Sequence, residues 1–318
     1  MFEHILVPLD GSSLAEGVLP HGVAMARTFD ARITLLQAVE SRRDNRRTGA
    51  TDPLGWQMRK TEAATYLDEV VDRLSEADVK ADWTVMEGDA ASCVLEFAHR
   101  HNVGLIAISS HGGSGLSEWN ISSVVQKVIL RAYMPVMIVR AYQPTPKDLT
   151  ELTYRRLLVP LDGSRRAECV LPLATTLARF HRCPLLLAHV VSRPEVPRRT
   201  PFTEEENELI EQLTERNRER GAQYLQGLQS QLSSQVETHL LVSDNAIATL
   251  HDLVAEEDVD LVLLSAHGYS GEAKWPYGSV SLNFIAYGTT PLLIVQDIPE
   301  EQIETSYAEK AAKERKGH

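Results

Sequence analysis

Runs of consecutive apolar residues alternate with longer stretches in which apolar positions return every three or four residues. His4–Leu9, Ile33–Val39, Leu105–Ile108 and Pro135–Val139 are runs of the first kind, and Ala81–Met86 alternates with period two. They predict strands, the continuous ones covered on both faces. Between them, Val18, Leu19, Gly22, Val23 and Ala26 recur at helical spacing. Ala64, Leu67, Val71 and Leu74 form a stripe within Thr61–Leu74, and Ser92–Arg100 and Val124–Leu130 are two further helices. Strands alternating with helices predict a parallel sheet with helices on both faces.

The whole pattern occurs twice. Leu157–Leu161, Leu185–Val191, Val236–Val242, Leu261–Leu264 and Leu292–Val295 are the second set of strands. Val-Pro-Leu-Asp-Gly-Ser stands at Val7–Ser12 and again, 152 residues on, at Val159–Ser164. Ser109-x-His111-Gly112-x-Ser114-Gly115 returns 156 residues on as Ser265-x-His267-Gly268-x-Ser270-Gly271. Pro135-x-x-Ile138-Val139 returns as Pro291-x-x-Ile294-Val295 at the same offset. A period this long marks duplicated domains, because solenoid units repeat every ~20–50 residues. Most of the inserted length falls in Arg193–Pro201, and the helix after it opens on a capping box of Thr203 and Glu206. The expected fold is α/β: two tandem doubly wound domains, each a five-stranded parallel sheet with helices on both faces. Residues 1–141 and 154–297 are the expected domains, 142–153 the linker, and 298–318 a charged tail read as a solvated helix or a disordered segment.

The chain has 44 Asp+Glu against 32 Lys+Arg, a net charge of −12. No basic field draws in a phosphate backbone, so a general nucleic-acid partner is not expected. Cys93, Cys169 and Cys183 form no C-x-x-C pair and read as reduced, mostly buried thiols of a cytoplasmic protein. No secretory signal is visible, and no apolar run approaches the ~20 residues that cross a bilayer, so no membrane partner is expected.

In an open parallel sheet, ligands bind beyond the carboxyl ends of the strands. Two loops of each copy emerge there. The first is Asp10-Gly11-Ser12, and Asp162-Gly163-Ser164. The second is Ser109–Ser123, and Ser265–Ser279. The second is rich in glycine and serine and runs into a helix, which suits phosphate. It also suits a plain flexible connection. Asp10 and Asp162 have their own alternative, an Asx-type turn. His111 and His267 either bond a phosphate or orient the loop. Trp119 and Trp275 either cover a ligand or pack between domains. His99, His101, His189, His239 and His251 show no metal-ligand spacing and read as surface or core residues. The arginines of Arg42–Arg47 read as a solvated loop or a local anion patch. There is no P-loop, no G-x-G-x-x-G, no nucleophile elbow and no H-E-x-x-H, so no catalytic residue is assigned.

The chain resembles the universal stress proteins. The likeness rests on the Val-Pro-Leu-Asp-Gly-Ser strand end, the Ser-x-His-Gly loop, the Ser-Val that opens the last helix and the closing Pro-Val-Met-Ile-Val or Pro-Leu-Leu-Ile-Val. All occur in this order, twice. The resemblance implies an adenine nucleotide alpha hydrolase-like fold and, in one branch of the family, ATP binding through Gly-x-x-Gly, nine residues, then Gly followed by Ser or Thr. The second copy reads Ser265-x-x-Gly268, nine residues, Gly278-Ser279, with one glycine replaced. The first reads Ser109-x-x-Gly112, nine residues, Ser122-Ser123, with two replaced. By the same resemblance, Asp162 and Asp10 contact the ribose or metal side, beside Pro160 and Pro8. Val190 and Ala38 meet adenine through the backbone. Gly268, Gly278, Ser279 and Val280 cradle the triphosphate, with Gly112, Ser122, Ser123 and Val124 as counterparts.

The reading is therefore a stress-response module that binds ATP, with or without Mg2+, or a related adenine nucleotide, more surely in domain 2. The alternative is a structural, dimerising stress protein without nucleotide, and the third reading is a slow adenine-nucleotide hydrolase. Family dimers pair through the last strand. The expectation here is intramolecular pairing of the two copies, with Ile138 and Ile294 near its centre and a further homodimer left open.

Overall fold

The protein is described by a computed structural model over residues 1–39, 53–113, 121–142, 146, 148–193, 203–232, 235–268 and 277–297. It divides into two compact units, Met1–Thr153 with Ile285–Ile294, and Tyr154–Phe284 with Val295–His318.

The first unit runs β1 (His4–Pro8), α1 (Ser13–Glu16), α2 (Leu19–Phe29), β2 (Arg32–Val39), α3 (Pro53–Glu76), β3 (Ala81–Glu87), α4 (Ala90–Arg100), β4 (Leu105–Ser109), α5 (Ser123–Ile129) and β5 (Val136–Val139). The order β3-β2-β1-β4-β5 is parallel throughout. It reverses direction between β1 and β4, where the crevice of a doubly wound sheet opens. Ile5, Leu6, Val7, Leu105, Ile106 and Ala107 of those two strands are wholly buried. Each large apolar side chain among them contributes about 1.5–3 kcal/mol.

The free edge of β5 is taken by β10 (Leu292–Val295), whose residues up to Ile294 belong to this unit. The pair is antiparallel, Leu292 facing Ile138, Leu293 facing Met137 and Ile294 facing Val136. Met137 and Leu293 stand opposite each other at the middle of this ladder. Beside it, Arg140 is fully buried and its Nη1 donates to the carbonyl of Ile285 at 3.2 Å. Burial holds its pKa below the ordinary arginine value.

The second unit repeats the order as β6 (Leu157–Leu161), α6 (Arg165–Glu168), α7 (Leu171–His181), β7 (Leu185–Val191), α8 (Glu204–Gln231), β8 (Val236–Val242), α9 (Ala246–Glu256), β9 (Leu261–Ser265) and α10 (Ser279–Tyr287). Its strands lie in the order β9-β6-β7-β8, all parallel. The switch point falls between β6 and β9. No helix among the described residues is long and apolar enough to cross a membrane.

Three local readings change. The helix expected after strand one is two pieces, broken at Gly17–Val18 and restarted with proline in its first turn. The helix expected from Thr61 begins at Pro53. Leu54 and Met58 in the added turns are exposed, so no stripe marked them. Cys93 and Cys183 are buried, but Cys169 is exposed. Arg42–Arg47, Trp119, Lys274, Trp275, Pro276 and the 298–318 tail lie outside the described residues.

Candidate functional site

In the second unit a cavity of about 180 Å3 opens at the β6–β9 switch point. Pro160, Asp162, Val190, Ser265, His267, Gly268, Gly278, Ser279 and Val280 all line it. Those are the nine residues singled out in the second copy. Ala188, Ala246, Leu250 and Leu264 make the rest of the wall mostly apolar, with Ser281 beside the helix start. One end suits a flat apolar ring. The other carries bare main chain and hydroxyls at the N-terminus of α10, which suits an anion.

The turn after β6 explains how Asp162 is placed. Gly163 takes a φ of +83°, which a side chain resists. Asp162 Oδ1 then accepts the Ser164 N–H at 2.9 Å, and Ser164 caps α6 by accepting the Ala167 N–H at 3.1 Å. The other carboxylate oxygen of Asp162 points at the loop after β9. A Cβ on Gly268 would lie 2.2 Å from it, so a side chain there would have to displace the carboxylate. Gly278 takes no positive φ. A Cβ on it would meet main chain at 3.6 Å or more, an ordinary contact. Neither backbone conformation nor crowding therefore requires glycine at 278.

The residues just before Gly268 are held from below. Ser265 Oγ donates to the carbonyl of His267, and Ser281 Oγ donates to the carbonyl of Ser265 at 2.8 Å. His267 is 3% exposed. Its ring Nδ1 and its backbone N–H both donate to Asp297 Oδ1, at 2.8 and 3.1 Å. Among the described lining residues the ionisable side chains are Asp162, His189 and His267.

The first copy repeats the turn and differs at the helix end. Asp10 Oδ1 accepts both the N–H and the hydroxyl of Ser12, at 3.0 and 2.6 Å, and Oδ2 accepts the Gly113 N–H at 2.6 Å. Gly112 passes Asp10 as Gly268 passes Asp162, with a Cβ position 2.1 Å from Oδ2. Ser122 is the N-cap of α5 and accepts the Val125 N–H at 3.3 Å. That spends a donor which Gly278, having no side chain, leaves to α10. Ser123 and Val124 follow in the first turn. Ser109 Oγ donates to the Leu14 carbonyl at 2.7 Å, and His111 is buried. Pro8 ends β1. Ala38 lines a separate cleft of about 510 Å3 with Gln37, Arg59 and Tyr66.

A family model described as the universal stress protein family matches residues 1–140 and 153–296. The chain belongs to the universal stress protein family. The universal stress protein MJ0531 of Methanocaldococcus jannaschii is 27% identical over 144 residues, which cover 44% of this chain and 83% of that one. YxiE of Bacillus subtilis, another universal stress protein, is 30% identical over 151 residues, 44% of this chain and 100% of its own. The solved structure of a universal stress protein from Archaeoglobus fulgidus matches 93% of this chain and 98% of its own with a TM-score of 0.65. At 17% identity that likeness shows the fold.

Within this universal stress protein, two features of the site escaped sequence reading. His189 lines the cleft, and its Nδ1 donates to the Leu161 carbonyl at 2.8 Å. Gly221 of α8 makes room for it, since a Cβ there would lie 2.9 Å from the ring. Asp297 lies past the last apolar run, where nothing in the pattern marks it. Further off, Tyr224 donates to Glu168 at 2.9 Å, as Tyr66 does to Glu16 at 3.1 Å in the first copy. Burial, then the glutamate, pushes both phenols well above the ordinary tyrosine value. His239 does meet carboxylates, with Glu237 and Glu257, in a cluster that has the shape of a cation site. Its cation is Arg156, whose Nη2 donates to Glu237 at 2.8 Å and to Glu257 at 2.6 Å.

Proposed function

We propose that this universal stress protein binds ATP or a related adenine nucleotide in its second copy, and that occupancy, not turnover, is what it signals. One observation carries the reading. The nine residues that the family pattern marks along the second copy line one cleft at the switch point, with Gly278, which has no capping side chain of its own, just before α10. The apolar wall at Ala188, Leu250 and Leu264 suits the base, and Gly268, Gly278 and Ser279 suit the phosphates. Asp162 is the carboxylate in the cleft for an accompanying Mg2+. A ligand that binds one arrangement of the loop better than another shifts the population toward it. Pairing of the two copies, a homodimer, the cytoplasmic location and the division at 142–153 belong to the same proposal.

A structural role is the second reading, favoured for the first copy alone. There Ser122 caps the helix with its own side chain, where the second copy has Gly278.

The test is the nucleotide content of the purified protein, released by acid and identified by mass, followed by titration of the stripped protein with Mg-ATP. One adenine nucleotide per chain supports the asymmetric reading. Two per chain overturns the demotion of the first copy, and no binding at millimolar concentration overturns the proposal.

A further inference from the structure

Around the loop after the fourth strand, equivalent positions of the two copies carry different but matched side chains. In the first copy, Ser110 Oγ lies 3.1 Å from His111 Nδ1 and accepts the Ala141 N–H at 3.0 Å. In the second copy, alanine stands at 266 in place of Ser110 and can make neither bond. Asp297 stands in place of Ala141, and its carboxylate reaches His267 directly. Arg166, in place of Leu14, brings Nε to 3.6 Å from Asp297 Oδ2. The exchanges Ser110 to Ala266, Ala141 to Asp297 and Leu14 to Arg166 thus trade a hydroxyl bridge for an ionic one.

The Asp297 side chain has no solvent exposure and that of His267 has 3%. A carboxylate so buried persists only with partners that fix it in place, and those partners are fixed in return. A donor to a carboxylate must carry its proton, so the His267 ring holds a hydrogen on Nδ1. The second bond, from the backbone N–H, fixes the main chain one residue before Gly268, which passes Asp162 so closely that a Cβ would have to displace the carboxylate.

We infer that Asp297 is the positioning residue of the candidate site: through His267 it holds Gly268 in the geometry that the phosphate end of the cleft requires. Asp297 is not one of the cleft's lining residues, so its effect on a ligand passes through the loop. The inference deepens the nucleotide reading and rests on it.

Three proteins test it: the full chain, Asp297→Ala, and Asp297→Ala combined with Ala266→Ser, which installs the first copy's hydroxyl bridge. The readouts are the His267 Nδ1–H proton by NMR without nucleotide, the melting midpoint, and Mg-ATP affinity by calorimetry. Asp297→Ala is expected to lose the downfield His267 proton and to weaken Mg-ATP by about tenfold or more, the loss of a hydrogen bond to a charged group. The double variant regains a hydrogen-bonded His267 proton and most of the affinity. Wild-type proton and affinity in Asp297→Ala, or a double variant no better than the single one, overturns the inference. Should Asp297→Ala not fold, Asp297→Asn serves: it keeps an acceptor without the charge, so a retained His267 proton with intermediate affinity supports the inference, and wild-type affinity without that proton overturns it. If the wild-type protein binds no Mg-ATP, the nucleotide reading fails by itself. The His267 proton, lost in the single variant and back in the double, still decides whether Asp297 positions the loop.

Discussion

The backbone N–H of Gly113 donates to Asp10 Oδ2 at 2.6 Å, tying the loop after β4 to the turn after β1. Asp10 is thereby a structural residue of its own copy. Asp10→Ala removes the acceptor and is expected to destabilise the first unit by about 1–3 kcal/mol while leaving the nucleotide stoichiometry unchanged. Asp162→Ala gives up the matching bond to Ser164 as well, and is expected in addition to weaken Mg-ATP binding at least about tenfold. Chemical denaturation and calorimetry on both variants separate the two roles, and equal affinity losses would refute the separation.

The two loop glycines of the second copy predict different failures. Gly268→Ala drives a methyl into the Asp162 carboxylate and should cost about 1–3 kcal/mol through forced displacement. Gly278→Ala meets only ordinary contacts, so the melting midpoint should stay near wild type while Mg-ATP affinity falls as the methyl crowds the helix end. A Gly278→Ala protein with normal affinity would remove the reason for counting that position in the site.

Acid should weaken the first unit through His4. Its Nε2 lies 2.8 Å from Thr34 Oγ1, and Arg32 Nη2 approaches Nδ1 at 3.0 Å, which favours the neutral ring. Burial, more than the Arg32 charge, holds its pKa below the ordinary 6.5, while the His101 carbonyl and Asp82 oppose the shift. The unfolded chain therefore takes up this proton first. The contribution is complete above about pH 6.5 and declines as the pH falls below it. Unfolding free energies measured from pH 8 down to pH 5 should show a slope that shrinks in His4→Gln. Equal slopes would show that another group governs the acid limb.

The long helix α8 starts at a closed capping box, Thr203 with Glu206, in which each side chain bonds the other's backbone N–H. Thr203→Ala should cost about 1 kcal/mol and should speed amide exchange in the first turn alone. Uniform exchange along the helix would mean that packing, not the cap, sets its start.

The strands and the duplication were legible because buried parallel strands leave continuous apolar runs, and because the second copy repeats the first at fixed offsets. Asp162, Gly268 and Gly278 were named through the family resemblance, on loops that the carboxyl ends of parallel strands already picked out. His189 and Asp297 were not. Their roles come from side chains that meet across the fold, His189 through the space left by Gly221 and Asp297 through His267, and neither pairing leaves a periodic trace. The early start of α3 was missed for a related reason: Leu54 and Met58 are exposed there, so its added turns carry no buried stripe.

The ladder between β5 and β10 has a consequence for how the protein is made. A chain emerging from its N-terminus completes β5 and then waits for a partner encoded about 150 residues later. At translation speeds of about 5–20 residues per second, that wait is roughly 8 to 30 s. Through that interval Val136, Met137 and Ile138 form an apolar strand with an unpaired edge, the kind of template that draws in other chains. Nascent copies on neighbouring ribosomes are thus rivals to β10, and shortening the wait is a route to cleaner folding at high expression.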